Sequence, residues 1–364
     1  MVMGISSEIK QNFQQNLLTW FQDQKRDLPW RRTQDPYQIW VSEVMLQQTQ
    51  VDQVLPYFYR FIEAFPTVEA LARASLSEVL KVWEGMGYYA RARNLHRAAQ
   101  RIVEDYGGKI PDTFKGLSQL PGIGPYTVRA ILSIAYHQDY PVLDGNVIRV
   151  LCRVFHIDKD PRSGMVKREL LQLAGELLPP GKAGIFNQAL MELGALVCRP
   201  QGPTCLLCPL RSLCQAQASG DPTALPVKAP KKTLPHYHIC VGIIWKDHQV
   251  LIALRPLEGL LGGLWEFPGG KLEEGESLEA CVVREVREEL GIEVKVDKPF
   301  RVVRHAYTHF RITLHSFHCT YLSGDPKPLG CIDWKWVSPD DLPRYAFPKA
   351  NKKILEKLLD QSGQ

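Results

Sequence analysis

Four cysteines, two carboxylates set in unlike surroundings, and a run of glutamates are the residues whose spacing could do chemistry in this chain. Cys198, Cys205, Cys208 and Cys214 read C-x6-C-x2-C-x5-C. The stretch after the first, Arg199-Pro200-Gln201-Gly202-Pro203, is polar and turn-rich, which argues against four packing residues. Thiolates on so short a loop can wrap one soft centre, either a tetrahedral zinc or an iron-sulfur cluster. Cys152, Cys240, Cys281, Cys319 and Cys331 are scattered and read as core.

Glu43 lies in the apolar stretch Ile39-Trp40-Val41-Ser42-Glu43-Val44-Met45-Leu46. A carboxyl buried there would have a raised pKa and hold a proton, whereas on the outer helix face it would be an ordinary exposed glutamate. Asp144 precedes Gly145-Asn146-Val147, where an aspartate caps a helix and, held at its N-terminus, stays ionised. One protonated and one ionised carboxyl are what cleavage of an N-glycosidic bond needs, the first to protonate the leaving base and the second to stabilise the sugar cation. In Leu120-Pro121-Gly122-Ile123-Gly124-Pro125-Tyr126-Thr127 the two glycines permit a tight turn whose backbone N–H groups can approach a phosphate. Further on, Gly270, Glu276, Arg284, Glu285, Val286, Glu288, Glu289, Gly291 and Ile292 fit G-x5-E-x7-R-E-U-x-E-E-x-G-U. On a helix Glu285, Glu288 and Glu289 share one face, suited to a hard cation such as magnesium, or simply to solvent.

These groups need elements to hold them. The first two hundred residues read as helices: Ile9, Phe13, Leu17 and Phe21 recur at four-residue intervals behind Ser7 as a candidate cap, and similar stripes cover 51–64, 90–106, 126–136 and 147–155. Periodicity disappears from Ala216 to Pro235, where Gly220-Asp221-Pro222, Pro226, Pro230, Lys231 and Lys232 read as a linker. Beyond it, 239–245 and 249–254 form a hairpin around Lys246-Asp247-His248. Strands are expected at 311–321 and 334–337, and helices at 278–290 and after Pro348. The chain is thus expected to be multidomain: an all-α domain over 1–216 that includes the cysteine loop 198–214, a linker over 217–235, and an α/β domain over 236–364.

A chain of 364 residues with 45% hydrophobic and 23% charged residues is long enough for two globular domains. No apolar run approaches the roughly 20 residues that span a bilayer and no signal pattern opens the chain, so a cytoplasmic location without membrane contact is expected. In that compartment nine cysteines would not form structural disulfides. The net charge of +5 suits a polyanionic partner but does not demand one.

The cysteine spacing resembles that of the endonuclease III superfamily, in which it holds a 4Fe-4S cluster. The Leu120–Thr127 turn followed by the Asp144 segment resembles that superfamily's helix-hairpin-helix. Bifunctional members place a lysine nucleophile where this chain has Tyr126, which implies a monofunctional glycosylase. The segment Trp40 to Thr49 together with Leu143-Asp144-Gly145-Asn146-Val147 is similar to the signature of MutY-type adenine DNA glycosylases. That resemblance implies excision of adenine paired with 8-oxoguanine or guanine in double-stranded DNA, by a monomer at a bacterial nucleoid. It assigns Glu43 as the acid and Asp144 as the cation stabiliser, assisted by Tyr126 and Asn146. Arg26, Trp30, Arg31, Leu46 and Gln188 would line the adenine pocket. Gln48 and Tyr88 would fill the space left by the extruded base, and Gly122, Gly124 and Thr127 would contact DNA. The glutamate pattern with Trp265-Glu266-Phe267-Pro268-Gly269-Gly270 looks like a MutT-type Nudix domain. Arg304 to His309 resembles the loop that touches 8-oxoguanine, with Tyr307, Thr308 and His309 at the contact. The intact Nudix box departs from the MutY pattern, so a magnesium-dependent 8-oxo-dGTP pyrophosphohydrolase fused to the glycosylase is the competing reading. A non-catalytic mismatch binder is another, against which the joint presence of Glu43 and Asp144 argues.

Overall fold

The computed structural model describes residues 5–227 and 233–362; Pro230, Lys231 and Lys232 of the expected linker lie outside the described residues. The chain divides into two compact units. The first comprises Met1–Val54, Thr67–Glu69 and Arg97–Pro230; the second comprises Leu55–Pro66, Ala70–His96 and Lys231–Gln364.

The first unit is helical. Its opening helix, Ser7–Gln24, is capped by Ser6 and not by Ser7: the Ser6 hydroxyl accepts from Ile9 N at 3.3 Å. Phe13, Leu17 and Phe21 are buried on its inner stripe, whereas Ile9 faces solvent in the first turn. Their partners in the core come from the helices Gly145–Val154, Gly164–Leu177 and Ala183–Leu196, among them Leu151, Leu170, Phe186 and Leu190. Two glycines let the last of these helices come close to its neighbours. A Cβ on Gly184 would lie 2.5 Å from Ser133 O, and one on Gly194 would lie 2.5 Å from Asn146 Cβ. Close packing of this kind leaves no room for a methyl group, and it brings the helix 183–196 directly against the start of the helix that follows Asp144.

The second unit contains a seven-stranded sheet with strands β1 His236–Lys246, β2 Gln249–Leu254, β3 Trp265–Glu266, β4 Gly269–Lys271, β5 Glu293–Ala306, β6 Arg311–Ser323 and β7 Asp333–Val337. The order is β3-β2-β1-β6-β5, with β4 on β1 and β7 on β2. The expected β1/β2 hairpin turns at Asp247 and His248, both at positive φ, as a two-residue turn requires. β1 and β6 run parallel, from His236↔Arg311 to Trp245↔Thr320. Cys240 and Ile244 pack under the helix Leu278–Leu290, and Val241 and Ile243 under the terminal helix Lys349–Ser362. With both faces covered, the middle of β1 is apolar on consecutive residues where a half-exposed strand would alternate. Ser277 caps the helix 278–290 and Gly291 ends it in the left-handed conformation, φ 67°. The fold is therefore a helical region followed by a mixed α/β domain. Residues 55–66 and 70–96, which precede the cysteine loop in the sequence, group with the sheet.

Candidate functional site

In the first unit a cleft of about 1090 Å³ is lined by Arg26, Trp30, Arg31, Glu43, Leu46, Gln48, Tyr126, Asp144, Asn146 and Gln188, together with Gly122, Gly124 and Thr127 of the hairpin. Every residue assigned from the sequence to catalysis, to the base pocket or to the hairpin thus borders one cavity. Helix Pro36–Leu46 is buried on almost all of its residues and carries Glu43 inward, 6% exposed. The outer-face alternative is therefore excluded. Burial pushes the Glu43 carboxyl up to about 7; the Tyr126 hydroxyl, which donates to Oε2 at 2.9 Å, partly opposes this, and the Asp144 charge adds to it. The resemblance paired Tyr126 with Asp144, but its hydroxyl bonds to Glu43 and lies 3.2 Å from Met191 Sδ. Asp144 caps the helix Gly145–Val154, accepting from Val147 N at 2.7 Å and from Asn146 Nδ2 at 2.9 Å. Burial raises its pKa too, against the pull of these hydrogen bonds and of the Arg149 charge. Arg149 continues the network, donating to Asn146 Oδ1, Gly194 O and Cys198 O, each at 2.7 Å.

The hairpin that borders the cleft turns at Gly122, whose φ of 74° is open to glycine. Gly124 caps the helix Pro125–Ile134, which carries Tyr126 in its first turn. Thr127 is buried and its hydroxyl accepts from Gln47 Nε2 at 3.2 Å. Gln48 follows at the end of the Glu43 helix with φ 58°, a conformation that costs a side-chain-bearing residue energy and is common at functional sites.

One member of the site was missed in the sequence. Glu192, 1% exposed, receives Arg26 Nε and Nη2 at 3.0 and 2.7 Å, Arg31 Nη1 and Nη2 at 2.9 and 3.0 Å, and Arg26 N at 2.9 Å. Burial alone would raise its carboxyl; the two guanidinium groups bring it down to about 2. The arginines expected to line a base pocket are thus held by a buried anion one turn from Gln188, whose side chain bonds to Gly184 O at 3.3 Å. A single carboxylate in the otherwise apolar run Ala189-Leu190-Met191-Glu192-Leu193-Gly194 was the available signal.

Cys198, Cys205, Cys208 and Cys214 line a second cavity of the first unit with Arg153 and Val150. Arg153, 1% exposed, holds the loop through Arg199 O at 2.7 Å and Pro200 O at 3.2 Å, donates to Leu225 O beyond it at 2.9 Å, and its Nη1 lies 3.4 Å from Cys198 Sγ. Among the described residues, no three His, Cys, Asp or Glu side chains are gathered as a site for a metal ion. The donor set fits a thiolate-ligated centre: four sulfurs line one cavity, with a buried guanidinium beside one of them.

In the second unit Tyr88 stands in the turn Gly85-Met86-Gly87-Tyr88, with φ values of 96° at Gly85, 78° at Gly87 and 49° at Tyr88. Its hydroxyl is 2.6 Å from Thr308 Oγ1. Tyr307, at the β5–β6 turn, stacks on Phe310 at 4.8 Å and meets His305 edge-on at 4.6 Å; Thr308 and His309 are exposed. Of the three Nudix glutamates, Glu288 is exposed and accepts from Arg284 at 3.2 Å, and Glu285 accepts from the same guanidinium at 3.0 Å. Glu289 is turned inward, accepting from Gly269 N at 3.2 Å. Burial first, then the charges of Glu266 and Glu285, push it up to about 8. The inward carboxylates are therefore Glu266, Glu285 and Glu289, with Glu288 outside the group.

Residues 41–176 match the HhH-GPD superfamily of base excision DNA repair proteins, and residues 240–357 match the NUDIX domain. A thermostable thymine-DNA glycosylase structure is similar with TM-score 0.53 and 30% identity, over 58% of this chain and 98% of that one. The hairpin, the paired carboxylates in one cleft and these matches define a helix-hairpin-helix DNA glycosylase, a hydrolase, that carries a Nudix domain. Adenine DNA glycosylases of Rattus norvegicus and Homo sapiens are each 36% identical over 94% of this chain, covering 77% and 73% of their own lengths. This chain belongs to the adenine DNA glycosylase family. No helix among the described residues is long and apolar enough to cross a membrane.

Proposed function

We propose that the chain is a monofunctional glycosylase that removes adenine paired with 8-oxoguanine or guanine in duplex DNA. The observation that carries this reading is the pairing of Glu43 and Asp144 in one cleft: a carboxyl held near neutrality by burial beside one anchored by two hydrogen bonds at a helix start. Glu43 gives its proton to the flipped adenine, the bond between base and sugar breaks with its electron pair leaving on adenine, and Asp144 stabilises the resulting oxocarbenium ion until water adds. Tyr126 orients Glu43, and Asn146 orients Asp144. Trp30, Leu46 and Gln188 bound the pocket, with Arg26 and Arg31 fixed by Glu192. Gln48, Tyr88 and the hairpin residues Gly122, Gly124 and Thr127 hold the duplex, and Tyr307, Thr308 and His309 read the oxidised base. Cys198, Cys205, Cys208 and Cys214 would hold a 4Fe-4S cluster, which ties down the loop beside Arg149 and Arg153. The enzyme is proposed to act as a monomer at the bacterial nucleoid, with the glycosylase domain in 1–216 and the lesion-reading domain in 236–364.

The discriminating substitution is Asp144→Asn. Asparagine caps helices as well as aspartate does, so stability should change by no more than a few tenths of a kcal/mol while base release is lost. Loss of both together would reduce Asp144 to a cap. The complete Nudix box favours a second reading, in which the C-terminal domain also hydrolyses 8-oxo-dGTP with magnesium held by Glu285 and Glu289; of the three glutamates expected to share one face, Glu288 lies outside the inward group. Magnesium-dependent release of pyrophosphate by the full chain, lost in Glu285→Gln, would establish it.

A further inference from the structure

The second unit contains a buried carboxylate that neither the glycosylase chemistry nor the Nudix pattern uses. Glu84 ends the helix Leu76–Trp83, and its side chain is 8% exposed. Its Oε1 accepts from Phe347 N at 2.9 Å, and its Oε2 accepts from Lys81 Nζ at 2.8 Å and Lys352 Nζ at 3.3 Å. Lys81 Nζ also donates to Tyr345 O at 3.1 Å, and Arg93 Nη1 donates to Gly262 O at 2.7 Å. Segment 76–96 is thus fastened from both ends to the segments that precede β3 and follow β7.

The turn carrying Tyr88 begins at the next residue and is stiff. Trp83 Nε1 and Arg91 Nη2 both donate to Gly87 O, at 3.0 and 3.2 Å, and Tyr89 Oη accepts from Gly85 N at 3.1 Å. The Arg91 guanidinium lies over the rings of Trp83 and Tyr88, at 5.3 and 5.1 Å. A Cβ on Gly85 would come 2.6 Å from Tyr57 Oη. A turn this constrained transmits the position of its base to its tip, and the tip is the Tyr88 hydroxyl on Thr308.

We propose that Glu84 is a positioning residue for lesion discrimination: by tying the base of the Tyr88 turn to Phe347 and Lys352, it delivers Tyr88 to Thr308, so that the turn and the β5–β6 loop read the pair as one surface. The proposal rests on the reading that Thr308 contacts 8-oxoguanine. Glu84 itself is buried and acts through Tyr88, so its effect should appear in the choice between substrates while the chemical step is spared.

The experiment compares the full-length parent, Glu84→Ala, Glu84→Gln, Lys352→Met, Thr308→Val and the Glu84→Ala/Thr308→Val pair. Affinity and single-turnover excision are measured on A:8-oxoguanine and A:G duplexes, beside a thermal melt. The parent must first prefer A:8-oxoguanine; without that preference the functional reading itself fails, whatever Glu84 does. Given the preference, Glu84→Ala should reduce it by about ten-fold, a change of about 1.4 kcal/mol, while excision of A:G at saturating enzyme stays within about two-fold. Glu84→Gln keeps an acceptor for Phe347 N and should recover most of the loss. Adding Thr308→Val to Glu84→Ala should cost little more than either alone, because the two act in series. A folded Glu84→Ala with the parent's preference, or losses that multiply in the pair, would overturn the proposal. Should Glu84→Ala fail to fold, the half-exposed Lys352 decides: Lys352→Met must lower the preference in the same direction, and a parent-like value overturns the proposal.

Discussion

Glu43 and Glu192 border the same cleft, are both buried, and are driven in opposite directions. Glu43 has one neutral hydroxyl donor and the Asp144 charge nearby, so burial dominates and its carboxyl sits at about 7; Glu192 has two guanidinium groups and sits at about 2. Raising a carboxyl from 4.5 to about 7 makes its ionised form roughly 3 kcal/mol less favourable in the folded chain. The sign follows: the folded pKa is raised, so the stability is fully present below about pH 4.5 and is lost as pH rises through 7. Glu43→Gln should therefore stabilise the protein at pH 8 by up to about 3 kcal/mol while slowing adenine release about a hundred- to ten-thousand-fold. Denaturant melts at pH 5 and pH 8, with base release on the same samples, check this; a variant that excises within a few-fold of the parent would show that the acid is misassigned. Tyr126→Phe removes the one donor that favours the ionised form of Glu43. The alkaline limb of the single-turnover rate should then move to higher pH, and a limb that stays in place would mean that the Tyr126 hydroxyl does not tune this carboxyl. For Glu192 the depressed pKa works the other way, giving stability that is present above about pH 4.5 and lost as pH falls towards 2.

At the scale of elements, local signals were legible and packing signals were not. The Asp144 cap, the Gly122 turn, the 278–290 bounds of the Nudix helix, and the β1/β2 hairpin all depend on a few adjacent residues. Ser6 and Ser7 are chemically equivalent as caps, and only the observed Ser6–Ile9 hydrogen bond decides between them. β5 was not foreseen because register shifts at 293–294, 296–298 and 299–301 break the alternation that would reveal it. Glu192 was missed because nothing near it in the sequence announces Arg26 and Arg31. Gly194 looks like an ordinary helix-weakening glycine until the Asn146 contact is known. Gly194→Ala would push the two helices apart, and it should cost about 1–3 kcal/mol of stability and slow excision on every substrate alike. A melt and the A:8-oxoguanine to A:G ratio, expected unchanged, test it; a preserved melting temperature would mean that the contact relaxes without strain. The cysteine loop is tested by its colour. A thiolate-bound 4Fe-4S centre should give a yellow-brown protein absorbing near about 410 nm, and stoichiometric zinc in a colourless protein would contradict it. Cys198→Ser should reduce soluble yield and DNA binding, since Arg149 and Arg153 both bond to this loop.

For the whole molecule, the class of both regions was legible in the sequence, because each carries a motif complete in one stretch of chain. The assignment of 55–66 and 70–96 to the sheet-containing unit was not. Those helices carry the same amphipathic pattern as the rest of the glycosylase region, and what distinguishes 70–96 is the contacts of Lys81, Glu84 and Arg93 to residues 262, 345, 347 and 352, far away in sequence. This grouping changes what a truncation means. A chain cut after Ala218 would lose the sheet and also strip Glu84 of Phe347 N and Lys352 Nζ, leaving it Lys81 alone as its partner. We therefore expect such a fragment to melt well below the full chain, so reduced activity in it would not by itself assign lesion reading to the missing part; a fragment as stable as the parent would refute the grouping. Point substitutions in the full chain are the cleaner probe. The central claim, adenine removal driven by Glu43 and Asp144, is tested most directly by base release from duplexes carrying adenine opposite 8-oxoguanine, guanine or cytosine, with the parent and Glu43→Gln side by side. The parent should free adenine from the first two duplexes and leave the third intact, and Glu43→Gln should still bind the first but release almost none; equal release from all three, or undiminished release by Glu43→Gln, would refute the roles given to the two carboxyls.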